Sequence, residues 1–481
     1  MNLATLDPVI VWKHFATLCA IPRPSKGETV LRDHLAAWAR ERHLSAEMDE
    51  AGNLLIRKDA SPGREGRPGV VLQAHLDMVC QANAGTVHDF NTDPIMPVMQ
   101  ADGWLAAPQT TLGADNGIGV ALALAALEAD GLDHPALEVL LTVDEEDGMG
   151  GAHGLRPGWL RSEIMLNLDT EEWGEFYLGC AGGCDVVIAR DCRMEPVPGD
   201  YRVMRLSISG LRGGHSGCDI HLGRGNANKL LVRLLRHLET VADLRLVSMW
   251  GGTARNALPR EAWANIAVPA DAVSLLEQSV ADCQTLYAAE LAGTDDGIRL
   301  HIVVGQGDAV VTQPNQRAIL AGLHAAPHGV RRMSPDLPGV VETSNNLGVV
   351  RLGEGLFSAN LMVRSLRQSA TEALAGEIVS LFDLADCRAT VEASYPGWTP
   401  NPRSPLLALC QQVYAEHFGE PAKTQVIHAG LECGIIGAKY PAIDTISFGP
   451  TIRGAHAPGE RVHVGSVGQC WNLLRHILAA L

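Results

Sequence analysis

The sequence predicts an α/β fold: a mostly parallel sheet flanked by helices, interrupted by an inserted α+β domain. Three observations carry that prediction. Continuous apolar runs alternate with helical segments over roughly the first third of the 481 residues, the pattern of strands covered on both faces. After about Gly183 the texture changes to alternating strands, which suit an antiparallel sheet with one exposed face. Near Tyr395-Pro396-Gly397 the first style returns, and the late His456 has to join chemistry carried by residues 75 to 169. The expected organisation is therefore a catalytic domain split into 1–183 and 398–481 around an insertion at 184–397. The chain length alone suggests about three domains, or two with a large insertion.

Taken in order, Pro8 to Cys19 has helical apolar spacing, and Pro22 and Pro24 break it. Glu28 to Arg42 is expected to be a helix with Val30, Leu31, Leu35 and Trp38 on one face. Val70 to Ala74 reads as a strand, Ile118 to Glu128 as an alanine- and leucine-rich helix, and Leu137 to Val143 and Glu163 to Leu168 as strands. In the insertion, Cys184 to Ala189, Tyr201 to Gly210 and Ile298 to Val304 read as strands. Asp271 to Leu291 contains a helix with Ala272, Leu275, Leu276 and Val280 on its inner face.

Composition narrows the function. Hydrophobic content of 46% is ample for a large core, and 19% charged residues with periodic apolar runs exclude disorder. A net charge of −17 disfavours nucleic acid and anionic membranes as partners, since like charges repel. The N-terminus has no basic start or long apolar core, so no signal peptide is read. The longest apolar span, Gly119 to Leu127, is too short for a membrane helix. Eleven scattered cysteines suit reduced thiols and a cytoplasmic location. Cys180 and Cys184 face no second pair at zinc-finger spacing, so no structural zinc is expected there.

The chemistry sits where apolar runs stop. In open α/β sheets ligands gather at the carboxyl ends of strands. His75-Leu76-Asp77 ends one run, and period 2 puts both side chains on one side. The imidazole can bind a metal while the carboxylate holds its tautomer. Taken alone, such a pair also describes a solvated strand end. Asp115, among glycines, is suited to bridge two cations, although a helix N-cap would also use an aspartate there. Asp144-Glu145-Glu146-Asp147 crowds four acids after a buried strand, which repel one another unless a cation is present. Adjacent residues point opposite ways, so one glutamate can bind metal while its neighbour faces the substrate water, an argument that does not fix which is which; Glu146 is assigned as the ligand and Glu145 as the general base. Asp169 is expected to be the terminal ligand of the metal that His75 holds, and His456 to complete the second metal. His428 and His463 are further histidines near the end. His215, flanked by glycines in a loop, suits oxyanion stabilisation, and Arg255, Asn256 and Arg364 suit a substrate carboxylate or carbonyl.

The strings QAHLDMV, TTLGADNGIG, LLTVDEEDGMGGA, LNLDTEE, GLRGGHSG, GGTARNALPREA, HAGLECG and GPTIRGAHAP resemble the M20 metallopeptidases, and within them the aminoacyl-histidine dipeptidase branch. The resemblance runs from about residue 8 to 480. It implies a zinc-peptidase-like catalytic domain with two divalent ions, Zn²⁺ first, and a lid. On the matching positions His75 and Asp169 would hold one metal, Glu146 and His456 the other, and Asp115 would bridge. Asp77 would orient His75, and Glu145 would be the base. His215, Asn256 and Arg364 look like lid groups that contact substrate, and His428 and Glu432 like substrate-side residues of the catalytic domain. Two departures stand out: Asp144 and Asp147 make the acidic cluster denser, and Gly459 stands where an acid is expected after His456-Ala457-Pro458. The insertion is about twice one ferredoxin-like lid, which would let His215 act within its own chain.

The expected function is hydrolysis of short peptides, Xaa-His dipeptides above all, by a metal-activated water with a glutamate base. A carboxylate-rich shell also suits Mn²⁺ or Co²⁺. The alternatives are an N-acyl amino acid deacylase or aminopeptidase of the same family, and a catalytically dead metal-dependent binding protein. Expected partners are dipeptide substrates, and the sequence is compatible with a homodimer.

Overall fold

Every residue of the strand Val70–His75 is buried, and so is every residue of its parallel neighbour Leu137–Thr142. Strands covered on both faces have to be apolar throughout, which is why these segments read as continuous runs rather than alternating ones. The computed structural model describes residues 3–481. Its first unit comprises Met1–Gly179, Trp398–Val426 and Leu431–Leu481, and its second Cys180–Gly397 and Ile427–Gly430.

The first unit holds an eight-stranded sheet in the order Ser45–Met48, Leu54–Lys58, Leu137–Thr142, Val70–His75, Ile164–Asn167, Asp444–Ser447, Glu175–Cys180, Lys423–Ile427. The central block from Leu137–Thr142 to Asp444–Ser447 is parallel. Antiparallel pairings flank it, so the sheet as a whole is mixed. The parallel register places His75 beside Thr142, so those two strands end level, and Asn167 beside Gln73, so the third ends two residues earlier.

Helix Ala114–Glu128 packs on the strand Val70–His75 and on helix Val9–Ala20. It is buried without interruption from Asn116 to Leu127. Alanine and glycine keep it thin enough for that position. A Cβ on Gly117 would lie 3.0 Å from Cε2 of Phe15, tighter than packed carbons tolerate. Its regular part starts close to Ile118, where the sequence places it. Asp115 (ψ 112°) and Asn116 (φ −107°, ψ 30°) are not helical, so regular helix begins after them.

Two predicted faces are corrected. In helix Thr29–Glu41 the buried residues are Leu31, Leu35, Ala36 and Ala39, while Val30 is exposed. In helix Val273–Glu290 the inward stripe is Leu276, Val280, Cys283 and Tyr287, and Leu275 faces outward. Both exceptions sit one position off a 3.6-residue stripe, so their apolar character was no guide to their direction.

The second unit is built on a nine-stranded sheet whose recorded pairings are all antiparallel. Its order is Arg299–Val304, Tyr201–Ser209, Ala262–Pro269, Arg245–Gly251, Val341–Gly353, Leu356–Ser365, Gly182–Asp191, Arg388–Tyr395, with Gly329–Met333 beside Val341–Gly353. Along Tyr201–Ser209 the buried residues are Met204, Leu206 and Ile208, the alternation of a sheet with one covered face. Residues 427–430, read from the sequence as part of 398–481, group with this unit. The Ala181 N–H donates to the Ile427 carbonyl (3.0 Å), and His428 Nε2 lies 2.8 Å from Ser344 Oγ. Among the described residues no helix is long and apolar enough to cross a membrane, and none of the eleven cysteines is in a disulfide.

Leu122 is fully buried at the centre of the Ala114–Glu128 helix. Leu122→Ala is expected to lower the unfolding free energy by about 2–5 kcal/mol, read from urea denaturation followed by circular dichroism.

Candidate metal centre

His75 closes its strand at 1% exposure, and its two ring nitrogens face different partners. Nδ1 lies 3.1 Å from the Asp77 main-chain carbonyl and 3.4 Å from Asp77 Oδ1. A proton on Nδ1 satisfies both acceptors and leaves the Nε2 lone pair free as a ligand. Nε2 is 3.2 Å from Asp115 Oδ1 and 3.5 Å from Asp169 Oδ1. The second oxygen of Asp115, Oδ2, is 3.2 Å from His456 Nε2, which in turn lies 3.1 Å from Glu146 Oε2. One carboxylate thus stands between two histidine–carboxylate pairs, and each of its oxygens faces one pair.

The segments holding these groups are tied together by Asp77. Its carboxylate accepts from the backbone N–H of Glu145 (3.0 Å), that of Glu146 (3.1 Å) and the Ser25 hydroxyl (2.7 Å). Burial opposes its charge, but His75 and these donors outweigh burial and hold the Asp77 carboxyl well below the usual range. Fixing both backbone amides turns the two glutamates apart. The Glu146 side chain meets His456, while the Glu145 carboxyl has His75, Asp169 and Glu432 as its charged neighbours. Asp144 and Asp147 are turned out of this cluster. Lys26 Nζ is 2.5 Å from Asp147 Oδ2 and 3.9 Å from Asp144 Oδ1, which answers the dense run of acids.

The electrostatics follow from burying so much negative charge. Burial, and then the negative neighbours, raise the carboxyls of Glu145, Glu146 and Asp169. Burial alone would lower His75, yet Asp169 and Asp115 outweigh it and raise it well above an ordinary histidine. Hydrogen bonds to Asp115 and Glu146 push His456 up to about 11. Both histidines are thus drawn toward positive charge by the surrounding carboxylates. Glu146 Oε1 is buried without a hydrogen-bond partner. The ligand atoms of His75, Asp115 and Glu146 lie within 4.8 Å of one another. Mixed imidazole and carboxylate donors, an orphaned buried oxygen and excess negative charge all fit divalent cations.

Residues 71–480 match the family described as Peptidase family M20/M25/M40. The chain belongs to that family. It is 45% identical to the cytosol non-specific dipeptidase of Escherichia coli (strain K12) over 478 residues, covering 99% of this chain and 98% of the relative. The crystal structure of aminoacylhistidine dipeptidase from Vibrio alginolyticus matches with a TM-score of 0.91 and 42% identity, covering 100% of this chain and 98% of that one. A tripeptidase from Staphylococcus aureus shares the fold, with a TM-score of 0.56 at 15% identity and 98% coverage of both chains.

In this M20/M25/M40 peptidase the second unit carries its own polar cluster. His215 Nδ1 accepts from the backbone N–H of Gly217 (3.2 Å) and Cys218 (3.0 Å), so the ring proton belongs on Nε2. Burial, and then Arg364, lower His215 to about 4, so it is a neutral donor at pH 7. Arg364 is buried and donates to Tyr395 Oη at 2.8 Å. Asn256 accepts from the Ser216 N–H through its carbonyl (2.9 Å), which holds it beside the His215 loop. Arg255 is paired with Asp185 at 2.8 Å. His428, expected on the catalytic domain, belongs to this cluster instead. Burial lowers it to about 3, with Arg364 and His215 adding to the effect.

Glu432 does remain in the first unit, fully buried, where one oxygen accepts from Gln73 Nε2 and Thr142 Oγ1, both at 2.6 Å. Burial raises it to about 7. His463 is a helix cap: its Nδ1 accepts from the Ser466 N–H at 3.2 Å. Two residues absent from the sequence reading also hold the centre. The acid expected at Gly459 is supplied by Glu460, one position on, whose carboxylate accepts from the N–H groups of Leu112, Gly113, Ala114 and Asp115. Those donors belong to Glu460; the Asp115 oxygens face His75 and His456 and Asn116 Oδ1 has no partner, so neither residue caps the helix. Arg23 donates to the carbonyls of Leu76, Asp77 and Gly113.

Asp77→Asn replaces one acceptor oxygen with an amide facing backbone N–H donors. Divalent-ion affinity of the chelator-stripped protein is expected to fall about 10- to 100-fold, measured by calorimetric titration, with the circular dichroism spectrum retained.

Proposed function

We propose that this chain is a two-metal dipeptidase that hydrolyses short peptides, Xaa-His dipeptides among them. The observation that carries the reading is Asp115, whose two oxygens each face a histidine–carboxylate pair at 3.2 Å while Glu145 is left over. His75, Asp169 and one oxygen of Asp115 would hold one ion, and His456, Glu146 and the other oxygen the second. Divalent cations here, Zn²⁺ first with Mn²⁺ or Co²⁺ also suited, would supply Lewis acidity toward a carbonyl and acidify water. The residues do the rest. Glu145 accepts a proton from the attacking water and passes one to the leaving amine. Burial raises its carboxyl, which favours holding that proton between the two transfers. Asp77 keeps His75 in the tautomer that presents Nε2.

The second unit is assigned the role of a lid that recognises substrate. Neutral His215, with its proton on Nε2, suits donation to a developing oxyanion. Arg364 suits a peptide carboxylate, with Asn256 and His428 as neighbouring polar contacts. Glu432 is assigned to the substrate side of the first unit. The dipeptide class is supported by the names of two relatives, 45% and 42% identical over nearly their full lengths. The cysteine content and the word cytosol in one name support a cytoplasmic reaction.

The test is to strip the protein with a chelator and assay β-Ala-His, other dipeptides and tripeptides with Zn²⁺, Mn²⁺ or Co²⁺ restored. Metal-dependent cleavage of dipeptides with tripeptides spared is expected. Cleavage of N-acyl amino acids with all dipeptides untouched would replace the reading with a deacylase. Glu145→Gln should bind metal as the wild type does while kcat falls about 10²- to 10⁴-fold. Loss of metal instead would mean that Glu145 and Glu146 exchange roles.

A further inference from the structure

Asp115 and His456 are 341 residues apart in sequence, yet their facing atoms stand 3.2 Å from one another. Their loops are joined by one side chain. Glu460 is 2% exposed, and its Oε2 accepts from the N–H of Leu112 (2.7 Å) and Gly113 (2.9 Å), its Oε1 from that of Ala114 (2.8 Å) and Asp115 (3.2 Å). Four consecutive amides converge on one carboxylate because Gly113 takes a left-handed conformation at φ 68°, forming a concave anion-binding turn. The turn carrying Glu460 also carries His456. The Glu460 N–H donates to the Ala457 carbonyl (3.1 Å) and that of Ala457 to the Gly454 carbonyl (3.2 Å). The Gly459 N–H reaches the carbonyls of Ala107 and Thr110, both at 3.1 Å.

The opposite side of the Asp115 loop is gripped by Arg23, also 2% exposed. Its Nη1 donates to the carbonyls of Leu76 (2.9 Å) and Asp77 (3.0 Å), and its Nη2 to that of Gly113 (2.5 Å). Arg23 therefore ties the His75 strand end to the loop that Glu460 ties to His456. The two buried charges are opposite in sign; both Glu460 oxygens and both terminal nitrogens of Arg23 are hydrogen-bonded, and Arg23 Nε is buried without a partner. A carboxylate held by four consecutive amides fixes the geometry of the turn that carries them. Metal–oxygen bonds of about 2.0–2.2 Å leave tenths of an ångström for a bridging group to be misplaced.

We propose that Glu460, backed by Arg23, is a positioning residue that sets Asp115 midway between His75 and His456 and thereby governs the binding of both cations. This rests on the reading of Asp115 as the bridging ligand.

The test uses the full chain, stripped by chelator and titrated with Zn²⁺ in a calorimeter, comparing wild type, Glu460→Gln, Glu460→Asp and Glu138→Gln. Glu138 is the control because its buried carboxylate also has four donors, from Arg57, the Arg161 N–H, and the Ser162 N–H and hydroxyl, at the other end of a strand from the centre. Glu460→Gln should keep its secondary structure, lose at least tenfold in affinity for one or both ions, and show lowered kcat with KM nearly unchanged. Glu460→Asp should recover part of the affinity, and Glu138→Gln should lower the melting temperature but bind Zn²⁺ normally. Wild-type Zn²⁺ affinity and stoichiometry in Glu460→Gln would overturn the proposal, as would an equal loss in Glu138→Gln. Failure of both Glu460 variants to fold would overturn it too, since the residue would then serve folding. The readout separates this inference from the proposed function. A wild type that binds two ions and cleaves no dipeptide sinks only the substrate reading, whereas a wild type that binds none sinks the bridging role of Asp115.

Discussion

The arrangement of the first unit depends on keeping several carboxylates close together away from water. Asp77, Asp115, Glu145, Glu146, Asp169 and Glu432 gather at neighbouring strand ends, and like charges at such distances repel strongly in a low-dielectric surround. They are not all handled alike. Asp77 is saturated by two backbone amides, a hydroxyl and His75. Glu432 sits against Gln73 and Thr142 and is raised toward neutrality. Asp115, Asp169 and Glu146 are left with histidines as their main positive partners, which is the charge pattern that a pair of cations completes.

The fold places these groups by register. Parallel pairing puts His75 beside Thr142, so Glu145 and Glu146 emerge a few residues beyond the strand end and meet Asp77. Asp169 follows the next strand over. The remaining ligands come on loops, and loops need ties that strands do not. Arg23 and Glu460 are those ties, and both bond to main-chain groups rather than to other side chains. Their effect on the metal pair would therefore pass through the backbone that carries the ligands.

Much of the centre was legible in the sequence because its residues sit at boundaries. His75-x-Asp77 follows from period 2 at the end of an apolar run, and the separation of the Glu145 and Glu146 side chains follows from the opposite directions of adjacent residues. What stayed hidden depends on contacts that spacing cannot encode. Arg23, between two prolines, carries no local signal of the three carbonyls it reaches. Glu460 stands one residue past Gly459, where the motif places the acid, and the four amides it holds lie 345 to 348 positions away. His428 was read as part of the catalytic domain because its flanks are, whereas 427–430 cross to the other unit. Ser45–Met48 and the long polar strand Val341–Gly353 lack the apolar runs that mark the other strands, and the run in Leu54–Lys58 is only three residues long. Val30 and Leu275 show that an apolar residue beside a buried stripe can still face solvent.

The central claim is that Asp115 serves two cations at once, and the most direct measurement counts them. Chelator-stripped wild type and Asp115→Ala would be titrated with Zn²⁺, and bound metal counted per chain by mass spectrometry after exchange into metal-free buffer. The account predicts two ions in the wild type and neither retained at wild-type affinity in the variant. A single ion in the wild type, or one ion held undiminished by Asp115→Ala, would contradict it.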